Sequence, residues 1–475
     1  MKADHVVVVG AGLAGLSAAL HLLGAGRRVT VVEKEDLPGG RAGRLDLDGY
    51  RIDTGPTVLT MPEYAEEAFA VVGERMADRL TLDRVDPAYR ARFADGETLG
   101  VHTDGKAMEA EIERFAGPRE ADGYRRLRRW LTELYEVQRE HFIGANFDSP
   151  FGLVRPELAK LAWLGGFGRL ERNLRRFLTD ERLIRVFSFQ ALYAGVPPRK
   201  ALGAYAVIAY MDTIAGVYYP RGGMHALPAA MAEAAEAHGA EFRCGTTVSH
   251  LERNNTQVTA VHTGHERIPC DAVVLAVELP EAYRLLGRTP KRVPPIRWSP
   301  SAVVLHAGTN RTWDLDHHTI FFGDAWSGTF DEIVHKGRLM SDPSLLVTRT
   351  QESMHYVLAP CPNLVTAPID WQRVGPRYRD EIVRTLEKRG LDGFGDAITT
   401  ERLVTPADWG NAAGTPFAAA HTFAQTGPFR PRNLVRGTDN AVLAGSGTTP
   451  GVGVPPVLIS GRLAAHRITQ GITRA

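Results

Sequence analysis

Cysteine is scarce: Cys244, Cys270 and Cys361 are odd in number and widely separated in 475 residues. They form no CxxC pair, so neither a disulfide framework nor a structural zinc site is expected, and a reducing compartment fits. An excess of one charge is also missing, since 56 Lys and Arg face 55 Asp and Glu, a formal net charge of +1. That argues against a globally basic nucleic-acid binder, and no nucleic-acid partner is expected. No apolar run reaches the ~18 residues of a membrane span. The run over residues 6–26 could pass for a signal-peptide core, but Asp4 and His5 precede it and its glycines fall at spacings that such a segment does not require. Hydrolytic sets are missing too: there is no GxSxG, and the sixteen histidines show no zinc spacing. His317 and His318 are adjacent and would point apart on a strand, while His262 and His265 flank an expected hairpin turn and read as solvated. No metal is expected.

Glycine is in surplus, 48 residues or about one in ten against the usual ~7%. The surplus gathers in three places. The first follows a β-branched run, Val6–Val9, as Gly10-Ala11-Gly12-Leu13-Ala14-Gly15, before a helix to about Leu23 and a strand Arg28–Glu33. In such a βαβ unit Gly10 makes the tight turn, Gly12 lets amides approach a pyrophosphate, and Gly15 lets the helix pack on the strand. Glu33, followed by Lys34, ends the second strand, where a carboxylate can accept from the ribose hydroxyls of an adenosine and disfavours a 2′-phosphate. The second cluster, Pro38-Gly39-Gly40-Arg41 with Gly43, leads to Asp53-Thr54-Gly55-Pro56-Thr57; an NAD domain does not need it, and Arg41 could pair with a phosphate. The third is Gly445 to Gly453, followed by Val454, Pro455 and Pro456 at the head of a helix whose amide end suits an anion or a reduced flavin. Val248 could hold an adenine edge through its main chain.

These segments together resemble the FAD-containing carotenoid desaturases of the bacterial phytoene-dehydrogenase type. The narrower likeness comes from FSFQALYAG at 187–195, YYPRGGMHAL at 218–227, LDHHTIFF at 315–322, YVLAPCPNL at 356–364 and TPADW at 405–409. Two departures stand in the last loop: the family often has His where this chain has Thr449 and Gly where it has Pro456, which bears on product pattern more than on FAD binding. The resemblance implies dehydrogenation of a lipophilic polyene, phytoene or a close relative, by hydride transfer to FAD, with oxygen or a quinone as final acceptor. It also implies cofactor contacts at Gly10 to Gly15, Glu33, Lys34, Gly40, Arg41, Gly55 to Thr57, Val248, Gly445 and Gly453 to Pro455. Two alternatives remain open at this point. A flavin amine oxidase is similar over the first sixty residues, though Ala444-Gly445-Ser446 lacks the acidic residue usual after its last strand. A non-catalytic prenyl-binding protein resembling the GDP dissociation inhibitors would share the architecture without flavin.

The expected fold is α/β: a Rossmann-like FAD-binding domain of glutathione-reductase type in three pieces (1–70, 221–297, 416–475). A helical substrate and membrane-associating region (71–220) and a mixed-sheet substrate domain (298–415) are inserted in it. Residues 151–180 interleave Arg and Lys with Leu, Trp and Phe, which suits a helix lying in the headgroup layer of an anionic bilayer. A peripheral position on the cytoplasmic membrane face is therefore expected. For proton handling, Asp148 and Arg155 beside this segment are the candidates.

Overall fold

The computed structural model describes residues 3–146, 155–288 and 296–471. Its first sheet gathers strands from distant parts of the chain. His5–Val9 is buried along its whole length, as a continuous apolar run must be in mid-sheet. It pairs with Arg28–Val32 on one side and Ala272–Leu275 on the other, and Glu241–Arg243 and Ala441–Leu443 form the edges; every pairing is parallel. The Asp271 carboxylate sets the register by accepting from the amides of Asp4 (3.0 Å) and His5 (2.9 Å). The strands flanking His5–Val9 belong to opposite directions of winding, so a crevice opens at their carboxyl ends.

The helix Leu13–Gly24 is covered by Val454–Thr469. Pro455 and Pro456 fall in its first turn, where a missing N–H leaves no helical bond unmade. Ser17 Oγ donates to the Leu458 carbonyl (2.7 Å), and a Cβ on Gly461 would stand 2.2 Å from the Ala14 carbonyl oxygen, so the two helices meet backbone to backbone.

The second large sheet has seven strands, ordered Ile398–Val404, Ser301–Thr309, Met354–Cys361, Leu345–Gln351, His318–Phe321, Tyr89–Arg92 and Thr98–Val101. One face, with Val303, Leu305, Val347 and Val357, packs on Trp371, Tyr378, Ile382 and Leu386 of the helix Trp371–Lys388. Its last two strands fall within 71–220, a region otherwise built mostly of helices, as expected. They turn at Asp95-Gly96, with Gly96 at φ +87° and its N–H donating to the Phe93 carbonyl (3.0 Å), and they find their partner more than 200 residues away.

The basic segment is corrected. Its described part is two short helices, Pro156–Trp163 and Leu170–Leu174, broken at Gly165–Gly168. Leu161, Leu164, Leu170, Leu174 and Leu178 belong to a buried core, whereas Trp163 is 79% exposed and Phe167 47%. Among the described residues no helix is long and apolar enough to cross a membrane.

Candidate functional site

Three glycine loops meet at the carboxyl end of the parallel sheet. In the first, Gly10 has φ +101°, and a Cβ there would stand 2.7 Å from the Ala276 carbonyl oxygen; on Gly15 it would stand 1.9 Å from the Gly10 carbonyl oxygen. Gly12 differs, since its Cβ direction meets only the Gly40 Cα at 3.9 Å and is otherwise open. Gly12 also caps Leu13–Gly24 without a side-chain bond, so the amides of Leu13, Ala14 and Gly15 face the opening. In the second loop the Gly39 N–H donates to the Ala11 carbonyl (2.9 Å), which presses the two loops together. The third loop leaves Gly445 (φ +112°) open and caps Val454–Thr469 with Gly453, again without a side-chain bond.

Glu33 sits buried at the end of its strand and accepts from the amides of Ala11 (2.7 Å) and Glu35 (3.0 Å). The amides of Gly245 and Thr246 donate to the carbonyls of Glu35 (2.9 Å) and Glu33 (2.8 Å), which brings buried Val248 to the same end of the sheet. Lys34 points outward and pairs with Glu35 at 3.1 Å. Arg41 pairs with Glu278, which the sequence did not single out, and donates to Ser446 Oγ (3.0 Å), so it ties the second loop to the turn after Ala272–Leu275 and to the third loop.

The segment Asp53–Thr57 lies on the second loop: a Cβ on Gly55 would stand 1.9 Å from the Arg41 carbonyl oxygen. The Asp53 carboxylate accepts from the Tyr219 hydroxyl (2.7 Å) and the amides of Met224 (2.9 Å) and His225 (3.1 Å), while His225 Nε2 donates to the Pro38 carbonyl (2.9 Å). Burial and the Asp53 charge push the Tyr219 phenol well above its ordinary range. Arg430 was also missed. Almost fully buried, it donates to the carbonyls of Ser446 (2.6 Å) and Thr448 (3.0 Å) and so holds the third loop in place.

These residues fit FAD. Backbone without Cβ atoms is available for a pyrophosphate, two helix ends offer free amides, and a buried carboxylate waits where a ribose would lie. Gly10 to Gly15, Gly40, Arg41 and Gly445 would hold the phosphates and flavin side, and Glu33 with Val248 the adenosine.

An apolar cavity is lined by Phe189, Tyr193, Ile320, Phe322, Trp326 and Leu358. Its floor is the second face of the seven-stranded sheet. Ile320, Leu346 and Leu358 share that face with His318, Thr348, Tyr356 and His306, because residues two apart on a strand point the same way and the register aligns the four strands. The polar end of the floor reaches Asp53–Thr57: Thr348 Oγ1 donates to Thr57 Oγ1 (3.2 Å), and His317 Nε2 donates to the Thr57 carbonyl (3.2 Å). His318 Nδ1 lies 2.9 Å from Thr348 Oγ1, so the two adjacent histidines, expected to part, converge on Thr57 by different routes. Burial lowers the imidazole of His306 to about 4 and that of His318 to about 3, so the floor carries no imidazolium at neutral pH. The floor therefore suits an uncharged ligand.

Of the proton-handling candidates, Asp148 lies outside the described residues, and Arg155 is exposed, with Nη1 3.2 Å from His141 Nδ1. His265 is exposed as expected, but His262 is not simply solvated: its Nε2 lies 2.9 Å from the Glu252 carboxylate and its ring stacks on His250.

Residues 13–469 match the model of the flavin containing amine oxidoreductases. A phytoene dehydrogenase of Streptomyces griseus is 68% identical over 98% of this chain and 95% of its own length. A zeta-carotene-forming phytoene desaturase of Myxococcus xanthus is 35% identical over 98% of this chain and 93% of its own length. Among solved structures, putrescine oxidase bound to putrescine superposes with a TM-score of 0.61 over 99% of both chains at 16% identity, a likeness of fold.

Proposed function

The chain belongs to the flavin-containing amine oxidoreductases and, within them, to the bacterial phytoene dehydrogenases, and we propose that it uses FAD to dehydrogenate phytoene or a related acyclic carotenoid toward lycopene-type polyenes. The observation that carries this reading to the site is the apolar cavity whose floor runs without a charged imidazole to Thr57, beside the glycine cradle. FAD, when bound, supplies hydride acceptance, so the chain's own task is to bind, orient and keep water away. An aromatic lining and neutral histidines do that for a hydrocarbon. The likeness to putrescine oxidase is 16% identity, a likeness of fold, whereas the desaturases are related by sequence along the whole chain. Expression in a phytoene-accumulating bacterial host tests the reading: loss of phytoene with appearance of coloured polyenes is expected, and phytoene left unchanged overturns it.

On this reading residues 1–70, 221–297 and 416–475 form a Rossmann-like FAD domain of glutathione-reductase type and 298–415 a substrate domain. Tyr89–Arg92 and Thr98–Val101 serve the substrate sheet although they fall within 71–220. Electrons leave for oxygen or a quinone.

The substrate dissolves in membrane, and each CH₂ brought into water costs roughly 0.8 kcal/mol, so pick-up from a bilayer surface avoids a large transfer cost. The exposed aromatics supply a docking face. Trp163 and Phe167 flank a turn in which the Gly166 carbonyl accepts from the Ala204 amide, and the next residue, Tyr205, bonds through its hydroxyl to His421 (2.9 Å) and Thr426 (2.6 Å). That places them near Phe423 and Phe429, both more than half exposed and 5.7 Å apart at their ring centroids. Lys160, Arg169 and Arg172 are exposed beside them. The double variant Trp163→Ala/Phe167→Ala is expected to lose most of its flotation with anionic liposomes at low salt, while keeping FAD; flotation equal to the unchanged protein would exclude this face.

A further inference from the structure

A hydrocarbon substrate poses a problem of register. Apolar contacts are non-directional, and a polyene carries no polar group by which a site could tell one of its carbons from the next. Two polar side chains in the cavity wall are already engaged: Thr329 Oγ1 donates to the Ala325 carbonyl (2.5 Å), and Ser344 Oγ accepts from the Gly323 amide (3.1 Å). A chain can slide along such a wall until its terminus meets something solid. The sheet gives the cavity a direction. Thr348, which bonds to Thr57, pairs with Tyr356, and on that strand Leu358 and then Pro360 line the cavity farther on, ~13 Å from Tyr356 at ~3.3 Å per residue. Phe322, two residues past Ile320, takes the ring of Trp326 edge-on at 5.5 Å, and Trp326 takes Phe330 edge-on at 4.9 Å. The run Trp326–Asp331 and its continuation Glu332–Lys336 therefore bound the end away from Thr57. Phe330 is 4% exposed and Ile333 and Met340 1% each, so the cavity is closed to solvent at these side chains. The run is also tied down. Arg185 donates to the carbonyls of Gly323 (2.9 Å) and Asp324 (3.2 Å), the Asp342 carboxylate accepts from the Ala325 amide (2.9 Å) and from Arg389 (2.6 Å), and Glu332 accepts from the amide and hydroxyl of Ser341 (2.9 Å each).

Resting on the desaturase reading, we propose that Phe330 and Ile333 form a stop for the terminus of the polyene, and that the depth between this stop and Thr57 sets the innermost bond presented for dehydrogenation. Phytoene has its first saturated bonds next to the conjugated middle of the chain, so its terminus must enter deepest. A polyene already dehydrogenated there, such as zeta-carotene, reacts nearer its ends and takes a shallower seat. A stop bars deeper seats and leaves the shallower ones open.

The test fills the far end with Ile333→Phe and gives the FAD-loaded protein phytoene or zeta-carotene in liposomes, with the polyenes followed by chromatography. Consumption of phytoene is expected to slow about 10-fold or more, while that of zeta-carotene stays within about threefold of the unchanged protein. Phe330 and Ile333 lie three residues apart on one helical run, so the double variant Ile333→Phe/Phe330→Ala returns the depth and should recover most of the phytoene rate. A merely destabilising change would lower both rates, and a second truncation would not repair it. A loss shared equally by the two polyenes, no loss with either, or no recovery in the double variant overturns the proposal and leaves the desaturase reading standing. An unchanged protein that takes phytoene but refuses zeta-carotene overturns it too. If the unchanged protein consumes neither, the desaturase reading falls and takes this one with it. Should Ile333→Phe purify without FAD, Met340→Phe, which fills the same cavity from another segment, is judged by the same difference between the two polyenes.

Discussion

Gly15→Ala is expected to purify without flavin and to bind added FAD at least 10²-fold more weakly than the unchanged protein. The added methyl would stand 1.9 Å from the Gly10 carbonyl oxygen and 3.1 Å from its carbon, with the Ala276 Cβ at 3.2 Å behind. All three belong to the carboxyl ends of the two central strands, so no flexible side chain can give way. Either the helix Leu13–Gly24 lifts from the sheet or the turn at Gly10 opens. Overpacking of this kind costs about 1–3 kcal/mol in stability. The larger loss is functional, because on the proposed FAD site the Gly12 to Gly15 amides would form the floor of the phosphate site, and their placement follows the helix. Gly26→Ala separates the two effects. Gly26 has φ +72° but nothing within 4 Å of an added Cβ, so it carries the backbone strain alone, about 1 kcal/mol, far from the loops. The absorbance ratio at 450 and 280 nm after purification reads both: near zero for Gly15→Ala, unaltered for Gly26→Ala. A yellow Gly15→Ala would show that the helix can shift without disturbing the site.

Gly15 was legible because its reason is local. The strand, the turn and the helix lie within twenty residues, and their glycine spacing follows from backbone sterics. The same holds for Glu33 and for the prolines heading Val454–Thr469. Features that depend on distant partners were not legible. Nothing near Tyr89–Arg92 announces a strand that pairs with Thr319–Phe321, although Asp95-Gly96 is a hairpin signal that a helical reading of the arginine-rich surroundings hid. The apolar periodicity of residues 151–180 suits one helix lying on a surface. Gly165, at φ +81°, ends it, and the leucines turn inward while Trp163 stays out. From its charge alone Arg41 reads as a phosphate partner, and its pairing with Glu278 depends on the turn after Ala272–Leu275, far along the chain.

Arg430→Ala is expected to lose stability and flavin together. The guanidinium is 2% exposed and donates to carbonyls on the third glycine loop, Ser446 at 2.6 Å and Thr448 at 3.0 Å, with those of Ala419 and Gln425 at 3.4 Å. Truncation leaves at least the first two acceptors buried without this donor, at about 1–3 kcal/mol each, beside a cavity where the side chain stood. A total near 4 kcal/mol lowers Tm by about 4 °C in a chain of this length, given ~2.1 cal/mol/K of unfolding entropy per residue. The loop it releases carries Gly445 and Gly453, so FAD content should drop with it. Arg430→Lys distinguishes charge from shape. A lysine keeps the cation but offers one ammonium in place of a planar fork, and it cannot reach the carbonyls of two loops at once. Partial recovery of Tm with flavin still depleted is therefore expected. If Arg430→Lys restored both, charge alone would account for the residue and the clasp on the third loop would be wrong.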